Sequence, residues 1–305
     1  PCQASLQALL HGHEIGLMTG DVWHACNNAC YYVAHALIHA GCDLDHLCEE
    51  AAVFIGQTKE FGLQRLWDSN IPLLQAVHNM MGLSEDPTEL TGEVMQQEKL
   101  LSLASEKKNY QATLMVCHLQ LWLAVYFQKY EVAGSIIDGF KEGGVAKRAR
   151  PRKIVNEMFC VCLAASALAR TKGQGARWLP MARDALSKMK GWATECSAWN
   201  FEHKFELMEA ELARTEGQSD LANASYKRSI EHAHARGFVH EEALACEKMA
   251  IFSLEQGQKV LGLEYFQKSH RLYLKWGARG KADHVLQQIK GAESHKRSPI
   301  APHRQ

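Results

Sequence analysis

Two pairs of side chains with metal-ligand chemistry stand on one predicted helix near the start of the chain. His35 and His39 are four residues apart, and so are Cys26 and Cys30, a spacing that places each pair on one helical face. Imidazole nitrogen and thiolate sulfur are ligands that zinc prefers, so one pair with a distant third ligand could form a metal site. The zincin motif is incomplete, because Ala36 stands where its glutamate would be. We therefore favour packing or surface positions for the histidines and small apolar packing positions for the cysteines.

Other catalytic and cofactor signatures do not occur in the sequence. There is no phosphate-binding glycine loop, dinucleotide-binding glycine motif, kinase motif set or nucleophile elbow. Cys160 and Cys162 are two residues apart, so on a helix they point to different faces, and no cysteine pair has CxxC spacing. We predict no catalytic, cofactor-binding or metal-binding residue in this segment and do not expect it to be an enzyme. An enzyme of an unrecognised type stays open as an alternative.

The most strongly charged segment is the basic run Lys147–Lys153, with the sequence KRARPRK. It could bind a phosphate-rich partner or act as a nuclear address, or it could be a solvated loop between helices. The whole chain carries 34 Lys and Arg against 34 Asp and Glu, so nothing draws it generally to nucleic acid or to an anionic membrane. We favour the loop and predict no nucleic-acid partner.

Aromatic side chains crowd one short stretch, namely Trp122, Tyr126, Phe127 and Tyr130. Such rings can form a stacking platform for bases. At this helical spacing they are more typical of the core of a helical hairpin, and we predict that role. We predict a structural role also for Trp192, Trp199 and Trp276.

Apolar side chains recur at helical spacing along nearly the whole chain. Asp21 can cap a helix, Gly41 ends one, and Pro72 kinks another or starts it afresh. The segment 82–92 is rich in turn residues and predicts a loop. Strand content is expected to be near zero. Helices are predicted at about 4–18, 21–40, 44–58, 61–81, 93–107, 110–128, 130–140, 154–170, 176–192 and 281–290, with further helices in 197–277.

The stretch 197–277 contains two copies of one helix-turn-helix unit, offset by 40 residues. Turn glycines match at 217 and 257 and again at 237 and 277. The other matched pairs are Ala210 and Ala250, Leu221 and Leu261, Ala222 and Gly262, Tyr226 and Phe266, and Ser229 and Ser269. Such a fixed period is typical of a tetratricopeptide-like (TPR-like) array, although the usual period is ~34. Because one hairpin cannot bury its own apolar face, we predict an all-α, TPR-like α–α superhelix, a solenoid of helical hairpins.

The predicted solenoid is continuous but has two parts and a tail. Residues 1–145 form an N-terminal helical-hairpin array, 146–290 form the C-terminal TPR-like repeats, and the polar, proline-bearing segment 291–305 is a linker or disordered tail. Ten cysteines without paired spacing indicate reduced thiols and a cytoplasmic location. No apolar run reaches ~18 residues, so no membrane span is predicted. Because the sequence starts at Pro1 in mid-pattern, we expect a segment of something larger.

Several blocks of the sequence resemble one family of very large signalling proteins. The blocks are GLMTGD at 16–21, ATECSAWNF at 193–201, EAELAR at 209–214, YKRSI at 226–230, GFVHEEALA at 237–245 and YLKWGA at 273–278. They are similar to the TPR-like region of hybrid sensor histidine kinases, and related serine/threonine kinases, that contain an AAA-type (STAND-like) ATPase and a GAF domain. The resemblance covers 178–286 closely and the earlier chain loosely. It implies packing motifs only, since the nucleotide and phosphotransfer sites of that family lie outside such a segment.

These observations together predict a non-catalytic scaffold or regulatory segment. The resemblance implies that its partners are the adjacent ATPase and GAF or kinase domains of a parent chain, or another protein, reached through a concave face and open ends. A shift in helix packing would then couple the signal to the kinase. The alternative is a helical module that senses a small ligand held within the superhelix.

Overall fold

The computed structural model describes residues 2–142 and 154–294, with side chains in 2–140 and 155–294. These residues form fourteen α-helices and no strand. The α-helices are α1 Cys2–Thr19, α2 Val22–His35, α3 Leu44–Glu60, α4 Gln64–Met81, α5 Gln97–Glu106, α6 Tyr110–Tyr126, α7 Tyr130–Glu142, α8 Ile154–Ala169, α9 Gly175–Gly191, α10 Ala198–Thr215, α11 Ser219–Ala235, α12 Val239–Glu255, α13 Lys259–Trp276 and α14 Arg279–Ser294. One π-helical turn, Ala36–Ala40, extends α2, and a second, Trp192–Cys196, extends α9.

Neighbouring helices pack as hairpins, and the hairpins stack in chain order. The most extensive contacts join α12 to α13, α10 to α11, α8 to α9 and α1 to α2. Fewer contacts join successive hairpins, such as α11 to α12 and α2 to α3. The predicted all-α superhelix of helical hairpins is confirmed.

The repeat of 40 residues is visible in the hydrogen bonds as well as in the turns. The Ser229 hydroxyl donates to the carbonyl of His203 at 2.8 Å, and the Ser269 hydroxyl donates to the carbonyl of Ala243 at 2.8 Å. Both bonds span 26 residues, so the second is the first moved along the chain by one repeat. A buried serine at this position therefore fixes the register of the two helices in each hairpin, because a displaced hydroxyl would lose its only carbonyl partner.

Small residues at the matched positions let the paired helices approach closely. Ala210, Ala250 and Ala222 are fully buried. At Gly262, an added Cβ would lie 2.8 Å from the side chain of Leu254 and 3.1 Å from the Ala250 carbonyl. The matched aromatic rings are buried as predicted, but Leu221 of the first repeat is 40 % exposed.

Most predicted boundaries agree with the structure to within a few residues, and the predicted start of α5 needs correction. Asp21 caps α2 by accepting from the backbone NH of His24, and Gly41 ends the π turn with φ of 64°. Pro72 lies inside α4, which runs through it, instead of starting a new helix. The loop after α4 extends to Gln96, so α5 begins four residues later than predicted. The basic run and the final residues 295–305 lie outside the described residues.

The ends of the superhelix meet each other, in contrast to the expected open ends. Trp276, fully buried at the end of α13, donates from its indole NH to the carbonyl of Cys42 at 2.9 Å. Beside it, α14 and α4 touch through glycine: a Cβ on Gly280 would lie 2.5 Å from Cα of Gly82. We call this contact of α12–α14 with α2–α4 and α6 the closing interface. It turns a linear array into a closed body, because elements far apart in sequence share one core.

Candidate partner-binding channel

A cavity of about 1470 Å³ lies inside the superhelix. It is open to solvent, and six helices line it: α2, α4, α6, α7, α8 and α9. Each helix contributes one face, as at Gln111, Met115 and His118 of α6, which recur at helical spacing. We call this cavity the inner channel. A smaller cavity, about 540 Å³, lies against the loop after α4.

One side of the inner channel is rich in hydrogen-bonding groups. The polar lining from α2, α4 and the start of α6 consists of His24, Asn27, Tyr31, Arg65, Ser69, Asn70, Asn109 and Gln111. Some of these groups are committed to local contacts: the Asn70 amide donates to the Leu66 carbonyl at 2.8 Å, and the Asn109 amide donates to the Arg65 carbonyl at 3.2 Å. We call this the amide-rich side, and its side chains can both donate to and accept from a ligand.

The other side of the inner channel carries most of the apolar lining, together with His118, Glu157, Asp184 and Lys188. Its lining from α6, α7, α8 and α9 includes Leu114, Met115, Ile137, Phe140, Met158, Val161, Pro180, Met181 and Ala185, with Trp192 of the π turn. Three of these are methionines, whose unbranched side chains adapt to irregular apolar partners. We call this the methionine-rich side. A binding surface with one such side buries apolar groups of varied shape.

The charged side chains that line the inner channel are Arg65, Glu157, Asp184 and Lys188. Lys188 and Asp184 pair with each other at 2.6 Å on α9. Arg65 has no carboxylate within ion-pair distance among the described side chains, and its guanidinium donates to the carbonyls of Lys107 and Lys108, both at 3.4 Å. Because a guanidinium carries five N–H donors, Arg65 keeps donors for an anionic group of a ligand.

The channel lining offers no activated thiol. Cys30 lies on the amide-rich side, and burial raises its pKa to about 12. A thiol with that pKa stays protonated at neutral pH and is a poor nucleophile. The chemistry that this lining supports best is reversible binding by apolar contact and hydrogen bonds.

Of the histidine and cysteine pairs on α2 and the π turn after it, Cys26 and Cys30 are buried, whereas His35 and His39 are half-buried. The rings of His35 and His39 stack edge to face with centroids 5.4 Å apart. Burial lowers the pKa of His39 well below its ordinary value, and Cys26 is fully buried. Each pair stays on its own face, and the structure brings no third ligand to either pair within the described residues.

The described residues contain one group with metal-ligand spacing, which sequence reasoning missed. It joins Glu202 and Glu206 of α10 to His232 of α11, with all three ligand atoms within 4.8 Å of one another. Arg228 and Arg236 already pair with its two carboxylates. The group is therefore a compensated ion-pair network. Its signal in the sequence is only an i,i+4 glutamate pair, because the histidine comes from the next helix.

The other predicted residues fall mainly in the core. Trp122, Tyr126 and Phe127 are buried, and the rings of Trp122 and Trp276 meet edge to face at 6.3 Å in the closing interface. Burial raises the pKa of both Cys160 and Cys162 to about 12. Trp199 is an exception, since it is 46 % exposed. Trp192 has a second role, since it lines the inner channel.

Fully buried charges hold α14 to α12, and sequence reasoning missed them too. The Lys281 ammonium donates to Glu247 at 2.6 Å, and both side chains are completely buried. Burial lowers the pKa of Lys281 to about 8 although Glu247 opposes the shift. Tyr273 and Gln128 also donate to Glu247, so the carboxylate has a full set of partners, as a buried charge requires.

A second buried charged group lies where α10 and α12 face the π turn after α2. Lys204 and His203 of α10 both contact the carboxylate of Glu241 on α12. Burial lowers the pKa of Lys204 to about 8. His240 donates to the carbonyl of Ile38 at 3.3 Å, and burial, with Lys204 nearby, lowers its pKa to about 3. Neither of the two cavities described above is lined by these groups.

Comparison with known proteins yields neither a matching protein-family model nor a matching curated protein. The resemblance to the sensor-kinase family therefore stays a prediction. Within the described residues, no helix is both long enough and apolar enough to cross a bilayer.

Proposed function

We propose that this chain is a non-catalytic helical-repeat module that regulates by holding a protein segment in its inner channel. The observation that carries the proposal is the channel itself, about 1470 Å³ in volume and lined by six helices. Its volume exceeds the roughly 300–1,000 Å³ of pockets that hold drug-sized molecules. Its lining combines adaptable apolar surface with hydrogen-bonding groups, a composition that suits a peptide.

The same proposal places the module inside a larger cytoplasmic signalling protein. The support is the set of sequence blocks similar to ATPase-containing sensor kinases, together with ten cysteines that are all free thiols, as in a reducing compartment. The segment bound in the channel would come from the neighbouring ATPase, GAF or kinase domain or from a separate protein. Because several helices share the channel, its occupant would shift how they pack against one another and so change the disposition of the flanking domains.

A photo-crosslinking experiment tests the proposal without knowledge of the partner. Phe140→benzoylphenylalanine and Trp192→benzoylphenylalanine place the reactive group in the channel, and Val260→benzoylphenylalanine, at a side chain that is 73 % exposed, is the matched control. On irradiation in native cells, we expect protein or intramolecular peptide adducts at the two channel positions and none at Val260. No adduct at either channel position would overturn the proposal, and so would nucleotide turnover by the chain itself.

A second candidate function is the sensing of a small molecule in the same channel. The observation that favours it is the amide-rich side, where Asn27, Asn70 and Gln111 converge on one cavity. Side-chain amides that line one cavity can orient a small polar ligand. A metabolite that co-purifies with the chain and is released by blocking the channel would favour this function over the first.

A further inference from the structure

We infer that the occupant of the inner channel is a short amphipathic helix with an acidic polar face. The inference rests on the proposed function, that the channel holds a protein segment, and deepens it by naming the chemistry of that segment. Three independent properties of the channel support it: its size, the division of its lining into two sides, and the charge of its uncompensated cation.

The size of the channel matches about three turns of helix. For a helix about 10 Å in diameter that rises 1.5 Å per residue, a volume of 1470 Å³ corresponds to a length of about 19 Å, or roughly 12 residues. An extended peptide strand would leave most of the width unfilled. It would also leave its backbone donors and acceptors to the few amides of one side, whereas a helix satisfies its backbone groups internally.

The two sides of the channel match the two faces of an amphipathic helix. The methionine-rich side presents Met115, Met158 and Met181 with Ile137 and Phe140, and it would bury leucine-like or aromatic anchors at i, i+3, i+4 and i+7. The amide-rich side would face the polar residues of the same helix. A uniformly apolar guest would offer no hydrogen bond to Asn27 and Gln111, and covering a polar group without giving it a partner costs free energy.

The charge on the amide-rich side favours an acidic residue on the polar face of the guest, because Arg65 lies there, whereas Glu157 of α8 and the Asp184–Lys188 pair of α9 belong to the opposite side. Lys188 is already neutralised by Asp184. Arg65 is exposed and has only two long contacts to backbone carbonyls, so its charge is uncompensated among the described side chains. A carboxylate of the guest can take a bidentate pair with this guanidinium. Trp23, 52 % exposed and part of the lining, supplies the kind of aromatic anchor that dominates binding energy at protein interfaces.

Selection from two peptide libraries tests the inference on the full chain. Both libraries display 14-residue peptides of one composition, rich in leucine, phenylalanine, glutamate and glutamine. One library has its apolar residues at helical spacing, and the other has them at alternating positions. We expect only helix-patterned peptides to be enriched, with a glutamate at one preferred position on the polar face.

Variants of the chain decide where the enriched peptides bind. Gln111→Trp fills the channel from an exposed position, and we expect it to weaken binding at least tenfold. Arg65→Glu should weaken binding to a similar degree, and a peptide with lysine in place of the preferred glutamate should restore it. Val260→Glu, on the outer surface, should change nothing. Equal enrichment of both libraries, or binding that Gln111→Trp leaves intact, would overturn the inference.

A fluorescent fatty acid separates failure of the inference from failure of the proposed function. One outcome is that dansyl-undecanoic acid binds, that Gln111→Trp abolishes this binding, and that no helix-patterned peptide is enriched. In that case the channel binds a small amphiphile, and the inference of a helical peptide is wrong. Enrichment of the alternating library alone would also refute the helix, but it would keep a protein segment as the occupant and so preserve the proposed function.

Discussion

At the scale of single residues, the stability of this protein depends on charges that are buried and paired. Glu247 accepts hydrogen bonds from two helices besides its own, through Tyr273 of α13 and Lys281 of α14, and from Gln128 in the connection between α6 and α7. Burial alone would raise the pKa of Glu247, but Lys281 and Lys248 outweigh that effect and hold it below the ordinary value. One carboxylate thus joins elements that share no local sequence.

Removing that carboxylate should be costly. We expect Glu247→Gln to lower the free energy of unfolding by about 3–5 kcal/mol, because it leaves the buried Lys281 ammonium without its counter-charge. The matched control is Asp45→Asn, which breaks the exposed ion pair between Asp45 of α3 and Arg279 of α14, the helix that also carries Lys281. This substitution should lower the free energy of unfolding by less than about 1 kcal/mol. Urea unfolding of both variants measures the difference, and similar losses for the two would contradict the role given to burial.

Buried histidines make stability depend on pH. His240 has a folded-state pKa of about 3, below the value of about 6.5 in an unfolded chain. Its contribution is therefore complete above about pH 6.5 and is lost as the pH falls from there toward 3, because only the unfolded state takes up the proton. His39, whose pKa is lowered well below the ordinary value, acts in the same direction.

As the pH is lowered below 6, we expect each such histidine to reduce the free energy of unfolding by about 1.4 kcal/mol per pH unit. Chemical denaturation from pH 7 to pH 5 measures this slope. His240→Gln should remove the contribution of one proton from this slope, which is about 1.4 kcal/mol per pH unit. His11→Gln, at an exposed position, should leave it unchanged, and a slope that His240→Gln does not alter would contradict the assignment.

At the scale of helices, packing distance decides which residues an element tolerates. The helix α14 contains two glycines in different surroundings. Gly280 lies against the backbone of Gly82, whereas nothing lies within 4 Å of a Cβ placed on Gly291. The same substitution in one helix therefore meets backbone at one position and open space at the other.

Opposite effects are expected from alanine at these two positions. Gly280→Ala should destabilise the protein by about 1–3 kcal/mol, the usual cost of overpacking a tight contact, since α14 must move away from α4. Gly291→Ala should stabilise it by about 0.5–1 kcal/mol through helix propensity. Thermal unfolding by circular dichroism compares the two, and the same sign for both would show that α14 is not held against α4.

At the scale of the whole molecule, the closing interface makes the superhelix one cooperative body. In a linear repeat array each unit contacts only its neighbours. Here Trp276 of α13 packs against Trp122 of α6 and bonds the Cys42 carbonyl beyond α2. Helices α2, α4 and α6 belong both to this interface and to the lining of the inner channel.

Loss of the Trp276 side chain should loosen both ends of the chain at once. We expect Trp276→Ala to cost about 3–5 kcal/mol and to speed amide exchange in Ala36–Ala40 and in α14 together. Trp199→Ala, at a half-exposed ring, is the control and should change exchange only locally. Hydrogen-exchange mass spectrometry reads both, and faster exchange confined to α13 and α14 would show that the array is not closed.

The sequence by itself determined the local architecture of this protein. Helical spacing of apolar residues, turn glycines such as Gly217 and Gly257, and the Asp21 cap predict the helices. The offset of 40 residues predicts their pairing. These signals are readable because each depends on contacts within one hairpin, where neighbours in sequence are neighbours in space.

Only the tertiary structure decided the closing interface, the buried charge pairs and the inner channel. The hydrogen bond from the Trp276 indole to the Cys42 carbonyl joins residues 234 positions apart. A local sequence pattern cannot predict a partner at that distance. From the sequence alone, Glu247 and Lys281 would be expected on the surface, because charged residues usually are. Their burial depends on another helix that covers them, which the local sequence does not indicate. The channel lining draws a few residues from each of six helices, so it exists only once the curvature of the superhelix has brought those faces together.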